Sequence, residues 1–264
     1  MGLRADAGAR LRAGEFLAAG PAALIEVAGV QGSTPRETDA WMLVSADDTR
    51  GTIGGGRLEQ MAIERAREAL RDHHDASIDV PLGPEIGQCC GGRVALRITL
   101  DTHGVAEREQ AERALWPHVF VFGHGHVGRA LMPLLVPLPV HAHSIETRPD
   151  FARDGEATAL PETEIDAAPP GSAFVFVTHD HALDYLLVDR ALARADAAYI
   201  GLIGSATKRA TFASRFARDG HPPERFEQVA CPIGRLGGAI GSNDKRPEVI
   251  ATFIAAEVAA ALLR

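Results

Sequence analysis

Residues 118–131 read His118-Val-Phe-Val-Phe-Gly-His-Gly-His-Val-Gly-Arg-Ala-Leu131. A run of strand-forming residues is followed by Gly123-x-Gly125-x-x-Gly128 and then by a segment that can form a helix. The first glycine permits a tight turn, the second lets a phosphate approach the backbone, and the third lets the helix pack closely on the strand. The stretch therefore predicts a nucleotide-binding βαβ unit, with an anion held at the N-terminus of the helix.

An acid follows this turn at the spacing that a dinucleotide site requires. Glu146 lies 18 residues after Gly128, at the end of the apolar run 140–145. In a Rossmann unit, a carboxylate at the end of the second strand binds the ribose hydroxyls of the nucleotide. We therefore assign Glu146 to cofactor binding, together with His126 and the three glycines. A glycine-rich turn that holds no ligand is the alternative.

The composition is that of a soluble globular protein. The chain has 264 residues, 46% of them hydrophobic, and a formal net charge of −8 at pH 7. It can therefore bury a sizeable core, and its charge does not suit general nucleic-acid binding. We find neither a signal peptide nor an apolar run long enough to span a membrane. Three cysteines, two of them adjacent, do not form a disulfide framework, so we expect a cytoplasmic protein.

The chain divides into two predicted domains. Strands grouped with one long helix predict a small α+β domain over residues 1–104, and the polar segment 105–116 is the predicted linker. Over residues 117–264 strands alternate with helices, which predicts an α/β fold with a Rossmann-like, mostly parallel sheet. Its predicted strands are residues 119–122, 140–145, 173–178 and 198–203, with a short one at 228–231. Pro133 lies past the first turn of the helix after the glycines and should kink or shorten it.

Ligands of such sheets bind at the carboxyl ends of the strands, and several polar residues are predicted there. Asp180 follows the third strand, where its carboxylate can accept a hydrogen bond from a ligand; capping of the next helix is the alternative. Gly204 and Ser205 follow the fourth strand and open a helix. Together with Lys208 they predict a second phosphate site, and the alternative for Lys208 is a solvated surface lysine.

Three further segments, in the first domain, carry candidate ligands. Arg36 follows a Ser-Thr-Pro loop. Gly55 and Gly56 open a helix whose unshielded N–H groups suit an anion; a flexible turn is the alternative. Cys89 and Cys90 stand in a glycine-rich loop, and adjacent cysteines cannot chelate zinc as a Cys-x-x-Cys pair does. Two such thiols suit a soft metal or the transfer of sulfur, and buried inert thiols are the alternative.

Taken in order along the chain, these segments resemble the XdhC/CoxI family, the xanthine dehydrogenase accessory proteins. In the first domain the resemblance rests on Gly-Ser-Thr-Pro-Arg at 32–36, Gly-Thr-Ile-Gly-Gly-Gly at 51–56 and Gly-Gln-Cys-Cys-Gly-Gly at 87–92. In the second domain it rests on the residues at 121–128, 178–181, 199–205 and 245–248. The resemblance covers most of the chain, and the run at 237–244 departs from the family's usual glycine-containing segment.

This resemblance implies a chaperone-like role rather than an enzymatic one. Members of the family bind the molybdenum cofactor, a pterin dithiolene phosphate (molybdopterin) that holds molybdenum, and protect it while a cysteine desulfurase helps to install its terminal sulfur. They then deliver it to a molybdenum hydroxylase of the xanthine dehydrogenase type. In this chain, Cys89 and Cys90 are the candidate contacts to molybdenum. A homodimer is expected for a βαβ protein of this kind, although the sequence fixes no interface.

Two other functions remain open at this point. The glycine fingerprint alone predicts an NAD(P)-dependent oxidoreductase, although we identify no catalytic acid such as a Tyr-x-x-x-Lys pair. A nucleotide-sensing module without chemistry is the third hypothesis. Binding of NADH or NADPH with turnover of a carbonyl substrate would favour the oxidoreductase. Binding of a mononucleotide that leaves cofactor insertion untouched would favour the sensing module.

Overall fold

The computed structural model describes residues 12–32, 40–82, 92–151, 157–235 and 244–263. Within them the chain forms two compact units, and the boundary falls between Ala114 and Leu115. Each unit has its own sheet and its own hydrophobic core. Across these residues we find no helix with both the length and the apolar character needed to cross a membrane.

The described part of the N-terminal unit is built on one antiparallel sheet. Its elements in chain order are α1 (Ala13–Ala18), β1 (Ala23–Gln31), β2 (Trp41–Val44), β3 (Thr49–Gly51), α2 (Gly56–Asp72), β4 (Ala76–Pro81), β5 (Arg93–Thr99) and α3 (Val105–Ala114). The five strands lie in the order β3-β2-β1-β5-β4. All four neighbouring pairs are antiparallel, which confirms the predicted α+β character of this region.

Sequence periodicity explains how this unit packs. In β5, Val94, Leu96 and Ile98 are buried and alternate with more exposed residues, as a strand with one face on a core requires. The α2 residues that are buried recur every three or four positions and so share one face of the helix. They are Leu58, Ala62, Ala66 and Ala69. Both sets belong to one hydrophobic cluster, which is the core between α2 and the sheet.

Three connections leave this sheet at the same end. Gln31 at the end of β1 pairs with Arg93 at the start of β5, and Pro81 at the end of β4 pairs with the same arginine. Met42 near the start of β2 pairs with Gly51 at the end of β3. Because adjacent strands are antiparallel, the β1–β2, β3–α2 and β4–β5 connections all begin at one end of the sheet. The glycine, arginine and cysteine motifs of the N-terminal sequence fall in these three connections.

The segment predicted as a linker, residues 105–116, is mostly a helix of the N-terminal unit. Within α3, Val105 is fully buried and Glu109 is 8% exposed. Glu109 Oε2 accepts a hydrogen bond from the backbone N–H of Ala13 at 2.6 Å, and its Oε1 forms an ion pair with Arg50. A carboxylate can be buried when it is paired in this way. The polar composition of this segment therefore reflects paired and exposed side chains of a packed helix.

The C-terminal unit is built on a parallel sheet. Its elements in chain order are β6 (His118–Phe122), α4 (His126–Leu135), β7 (His141–Ile145), α5 (Glu162–Ala167), β8 (Ala173–Phe176), α6 (His181–Ala193), β9 (Tyr199–Leu202), α7 (Ala206–Arg218), α8 (Pro223–Phe226), β10 (Val229–Ala230) and α9 (Pro247–Leu262). The strand order is β10-β9-β8-β6-β7, and every pair is parallel. The predicted Rossmann-like sheet is confirmed. α4 includes Pro133 and ends two residues after it.

Helices cover both faces of this sheet. Leu131 of α4 and Ile254 of α9 pack with Val121 in one cluster, whereas Phe212 of α7 packs with Phe122 in another. Successive residues of a strand point to opposite faces, so the two clusters lie on opposite sides of the sheet. The chain runs from β6 outward to β7 and then returns to β8 on the other side of β6. The order of the strands therefore reverses between β6 and β8, which is the switch point where open α/β sheets bind ligands.

Candidate functional site

The three glycines after β6 have three different environments. Gly123 has a φ of +108°, and a Cβ there would lie 2.7 Å from the carbonyl oxygen of Val177, so the turn passes closely against the end of β8. A Cβ on Gly128 would overlap with the carbonyl oxygen of Gly123, so α4 packs against the turn only with glycine at this position. Gly125 has no atom within 4 Å of its Cβ position. The open space over Gly125 is where the sequence predicts a phosphate.

The start of α4 favours an anion in that space. Gly125 is the N-cap residue and His126 is the first residue of the helix, and no side chain of the described residues caps it. The first N–H groups of a helix have no partners within the helix. Arg129, less than one turn further along, is exposed and donates from its Nε to the carbonyl oxygen of His124 at 3.1 Å. A helix N-terminus and a cation therefore stand beside the open space.

Glu146 follows β7, as predicted, but its carboxylate already has partners. The residue is 7% exposed. Its Oε2 accepts from the backbone N–H of His124 at 2.8 Å, and its Oε1 accepts from those of Thr147 at 2.9 Å and Arg148 at 3.0 Å. The Arg148 guanidinium pairs with the same carboxylate at 3.2 Å. Glu146 therefore holds the glycine turn in place, which differs from the predicted role of binding ribose hydroxyls.

These contacts keep Glu146 ionised. Burial by itself would raise the pKa of this carboxyl group. The hydrogen bonds from the Arg148 side chain and from the backbone N–H groups of His124 and Arg148 outweigh burial and lower the pKa to about 2. The turn after β6 is therefore braced by a carboxylate anion at neutral pH.

Asp180 follows β8 and caps α6. Its Oδ1 accepts from the backbone N–H groups of Ala182 at 2.7 Å and Leu183 at 3.2 Å. The bonds from Leu183 and Ala182 lower the pKa of this exposed carboxyl group. Of the two roles considered for Asp180, the geometry supplies helix capping. His179 and His181 beside it are exposed, and no cluster of three metal-ligating side chains occurs within the described residues.

Lys208 is bound to a buried acid. Its Nζ donates to Asp184 Oδ2 at 2.5 Å and to the carbonyl oxygen of Ile203 at 3.0 Å. The side chains of Lys208 and Asp184 are only 9% and 0% exposed. The Thr178 hydroxyl donates to Asp184 Oδ1 at 2.7 Å and completes the pairing of this buried carboxylate. Lys208 is thus neither the predicted phosphate ligand nor a solvated surface lysine.

The turn between β9 and α7 is closely packed around this lysine. Ser205 caps α7 by accepting from the backbone N–H of Lys208 at 3.2 Å. A Cβ on Gly204 would lie 2.8 Å from Lys208 Cδ and 3.3 Å from the Sγ of Cys231. A side chain at position 204 would therefore have to displace those of Lys208 and Cys231. Burial raises the pKa of the Cys231 thiol, so this sulfur is a packing group.

The glycines before α2 are bound by an acid of the same helix. Gly55 and Gly56 have φ values of +78° and +66°, which glycine adopts without strain. Glu59 Oε2 accepts from the backbone N–H groups of Ile53 and Gly55, both at 3.1 Å, and from the Thr52 hydroxyl at 2.5 Å. Glu59 therefore occupies the place where the sequence predicts an anionic ligand at Gly55 and Gly56.

Arg36, Cys89 and Cys90 lie outside the described residues, so their assignments stay predictions. The described residues nearest to them show only where their connections begin and end. Gly32 follows β1, and Leu82 and Gly92 border the β4–β5 connection at the shared end of the N-terminal sheet.

Sequence reasoning missed the roles of two carboxylates. Asp184 lies four residues after the cap Asp180, on a face of α6 that is otherwise apolar. A buried acid at that position needs a cation as its partner. An acid on an apolar helix face is therefore the sequence signal that could have identified Lys208 as a paired lysine. Glu59 lies four residues after Gly55, in the first turn of α2. An acid at this spacing from a glycine turn reaches the N–H groups at the start of its own helix.

The fold and the glycine turn define a two-unit protein with a Rossmann-type domain and a potential phosphate site at its switch point. Comparison with known protein families also identifies a Rossmann domain in the C-terminal unit. Residues 119–258 match the XdhC Rossmann domain, and residues 16–80 match the XdhC and CoxI family. The chain belongs to the XdhC/CoxI family, which confirms the resemblance seen in the sequence.

Two individual proteins illustrate how far the similarity extends. The uncharacterized protein YqeB of Escherichia coli strain K12 is 26% identical over 256 residues, which cover 90% of this chain and 43% of YqeB. This chain thus spans less than half the length of that relative. A xanthine dehydrogenase crystal structure from Bacillus halodurans has a TM-score of 0.74 and 15% identity, covering 92% of both chains. At that identity the similarity shows a shared fold.

Proposed function

We propose that the protein is a cytoplasmic accessory protein, acting as a homodimer, that binds the molybdenum cofactor in its molybdopterin form. It protects the cofactor while a cysteine desulfurase supplies the terminal sulfur and then inserts it into a molybdenum hydroxylase of the xanthine dehydrogenase type. Membership of the XdhC/CoxI family supports the accessory role. In this proposal the chain binds and transfers, and the hydroxylation chemistry belongs to the client enzyme.

The observation that carries the proposal is an open position for a phosphate, close to an acid whose carboxylate is already hydrogen-bonded within the protein. The space over Gly125 is free. A dinucleotide such as NAD would use the acid at the end of β7 for its ribose hydroxyls. Here that acid, Glu146, is bound by the N–H of His124 and by Arg148. The turn supports phosphate binding without ribose recognition, which favours a pterin phosphate over NAD(P).

The residues at the switch point fit a phosphate group. Gly125 and His126 provide the start of α4, with its unpaired N–H groups and the positive end of the helix dipole. Arg129 adds a positive charge within the first turn. When bound, the cofactor supplies the molybdenum centre that the client enzyme uses. The residues of this chain would hold its phosphate at the start of α4.

We assign the molybdenum contact to Cys89 and Cys90 and an anion contact to Arg36. The N–H of Leu82 donates to the carbonyl oxygen of Gly92 at 2.7 Å and closes the base of the connection that carries the cysteines. Thiolates are soft ligands that suit a thiophilic metal. Replacing both cysteines by alanine should lower the retained molybdenum if they contact the metal. Unchanged retention would remove the cysteines from the proposal.

The small molecule that the protein carries is the direct test. The protein is purified from cells that make the cofactor, released pterin is measured by fluorescence after oxidation, and molybdenum is measured by mass spectrometry. We expect both in the wild-type protein. Gly125→Val fills the open space and should lose the pterin while the protein stays folded, because no atom lies within 4 Å of the Cβ position. Gly29→Ala in β1, where the new Cβ makes only an ordinary contact, is the matched control.

Two outcomes would overturn the proposal. One is wild-type protein without pterin combined with full hydroxylase activity in cells that lack the protein. The other is fluorescence titration that shows micromolar binding of NADH or NADPH together with turnover of a carbonyl substrate, which would favour an oxidoreductase. Binding of a mononucleotide that leaves hydroxylase activation unchanged, with no pterin bound, would instead favour a sensing module.

A further inference from the structure

A cavity of about 340 Å³ lies beside the β9–α7 turn of the C-terminal unit. Its volume is at the lower end of the range for small-molecule sites. Ser205 and Ala206, at the start of α7, line one side of it. The apolar part of its wall is formed by Ile203, Pro232, Ile233, Ile250 and Phe253. The cavity therefore has an apolar interior with one aromatic ring.

Two cations line the same cavity. Arg235 and Lys245 are both exposed, and neither side chain has an acidic partner within the part of the chain that the structure describes. Asp244 also lines the cavity, but its carboxylate accepts from the backbone N–H of Arg246 at 2.9 Å and from its guanidinium at 2.6 Å. The acid near the cavity is therefore neutralised, and the other two charged side chains among its described lining residues are positive. An anionic group is the complement of this surface.

The loop that carries Arg235 is held from α9. Glu257 Oε2 accepts from the backbone N–H groups of Gly234 and of Arg235, the latter at 2.9 Å. Gly234 has a φ of +83°, and a Cβ there would lie 3.3 Å from the Cβ of Phe253. The glycine lets the loop pass close to the aromatic residue. The backbone of Arg235 and the residue that carries the ring are thus held close together.

This cavity is separate from the switch point. The crevice at the switch point is lined by Gly123, Glu146 and Thr178, among others, and no described residue lines both spaces. Lys208, which the sequence assigned to a phosphate near Ser205, is bound to Asp184 instead. The positive charges that line the cavity therefore come from Arg235 and Lys245, to which the sequence assigned no ligand.

We infer that this cavity is a second ligand site, which binds a planar heterocycle carrying a phosphate group, as a nucleoside monophosphate does. Phe253 and the isoleucines suit the face of the heterocycle, since aromatic and apolar side chains gain most by covering a flat ring. Arg235 and Lys245 suit the phosphate through charge-assisted hydrogen bonds. The inference rests on the cavity alone and does not require the switch point to bind molybdopterin.

Calorimetric titration of the full chain tests this site. The probes are AMP, GMP and CMP, the matching nucleosides, and inorganic phosphate. We expect a monophosphate to bind at least about tenfold more tightly than its nucleoside and than phosphate alone. Arg235→Glu and Lys245→Glu should each weaken that binding by at least about tenfold. Arg218→Glu, at the exposed end of α7, is the charge-matched control and should bind as the wild type does.

Gly125→Val shows which site the nucleotide occupies. Nucleotide binding that survives Gly125→Val and is lost in Lys245→Glu supports the second site, whether or not the protein carries a pterin. Binding that is lost in Gly125→Val and kept in Lys245→Glu would overturn the inference, because the ligand would then occupy the switch point. Absence of monophosphate binding at millimolar concentration would overturn it as well, as would equal affinity for inorganic phosphate.

Two sources present this chemistry, a free nucleotide and the nucleotide half of a larger dinucleotide cofactor. Mass spectrometry of the material released from purified protein separates them. A free nucleotide is released with the mass of a monophosphate. A dinucleotide yields that mass only after its pyrophosphate is hydrolysed. Either result supports the site if Lys245→Glu loses the molecule, and retention of the molecule by Lys245→Glu argues against it.

Discussion

Among the described residues, the glycine turns before α2 and α4 are each held by a glutamate. Before α2 the acid is Glu59, which belongs to the helix itself and accepts from the N–H of Gly55 at the helix start. Before α4 the acid is Glu146, which follows the neighbouring strand β7 and accepts from the N–H of His124, one residue before the N-cap. Glu59 occupies the anion position of its helix, whereas Glu146 braces the turn and leaves Gly125 open.

The difference shows that a glycine pattern does not by itself make a ligand site. Glycines expose N–H groups, but an acid in the first turn of the same helix can satisfy them. An acid supplied by a neighbouring strand can fix the shape of the turn and leave the helix N-terminus available. Substitutions in each turn should therefore have different effects on stability and on binding.

The largest effect is expected from Gly128→Ala. The new Cβ would overlap with the carbonyl oxygen of Gly123, so α4 would have to move away from the turn. We expect a loss of about 3 kcal/mol in the free energy of unfolding, as for an overpacked core position. Urea unfolding followed by circular dichroism measures it. A loss below about 1 kcal/mol would show that α4 is not seated against the turn as described.

Glu146→Gln should have the next largest effect. The folded-state pKa of Glu146 is about 2, below its ordinary value of 4.5. The stabilisation is therefore present above pH 4.5 and is lost as the pH falls toward 2, and it amounts to on the order of 3 kcal/mol. The glutamine carries no charge, so the variant should be less stable at pH 7 and should lack this part of the acid dependence. Urea unfolding of both proteins between pH 7 and pH 3 tests the prediction.

An exposed acid provides the control for that experiment. Glu224→Gln, on the short helix α8, removes one carboxylate from the surface of the same unit. Its stability should follow the pH dependence of the wild-type protein. If Glu146→Gln also followed that curve in parallel, the carboxylate would not be the group that braces the turn.

Much of the fold follows from local patterns. Alternation in β5 and the strand-turn-helix pattern at 118–131 predict elements that the structure contains, because their signal lies within a few neighbouring residues. The spacing after Gly128 also places Glu146 correctly at the end of a strand. It does not reveal that the carboxylate is bound by His124, because hydrogen-bond partners depend on how two separate turns meet in space.

The predictions that fail involve charged residues with distant partners. Residues 105–116 look like a linker because they are polar, but Glu109 is buried against Arg50, which is 59 positions away. Lys208 looks like a phosphate ligand or a surface residue, but Asp184 from another helix binds it. Secondary-structure propensity and hydrophobic periodicity carry no information on such pairs. Only the folded structure shows which acidic side chain pairs with which basic side chain.

A smaller effect is expected from Glu59→Ala, which opens the turn before α2. The N–H groups of Ile53 and Gly55 lose their acceptor, and we expect a cost of about 1–2 kcal/mol, as for loss of a helix cap. Because the N-terminus of α2 then resembles that of α4, sulfate should stabilise the variant more than the wild-type protein. Thermal unfolding with and without sulfate measures this. Equal stabilisation by sulfate in both proteins would mean that Glu59 does not occupy an anion position.

The smallest effect on stability is expected from Gly125→Ala. Gly125 has a φ of −72° and nothing within 4 Å of its Cβ position, so alanine fits. A weaker N-cap and a less flexible unfolded chain offset each other, and we expect a change within about 0.5 kcal/mol. Pterin retention should nevertheless fall, because the methyl group enters the open space.

Gly55→Ala completes the comparison of the two turns. Gly55 also has open space over its Cβ position, but its φ of +78° strains any other residue. We expect this variant to lose about 1–2 kcal/mol of stability and no pterin. The two alanine variants therefore separate the roles of the turns. Gly125→Ala should weaken pterin binding without destabilising the protein, and Gly55→Ala should destabilise the protein without weakening pterin binding. The reverse outcome would assign the phosphate to the turn before α2.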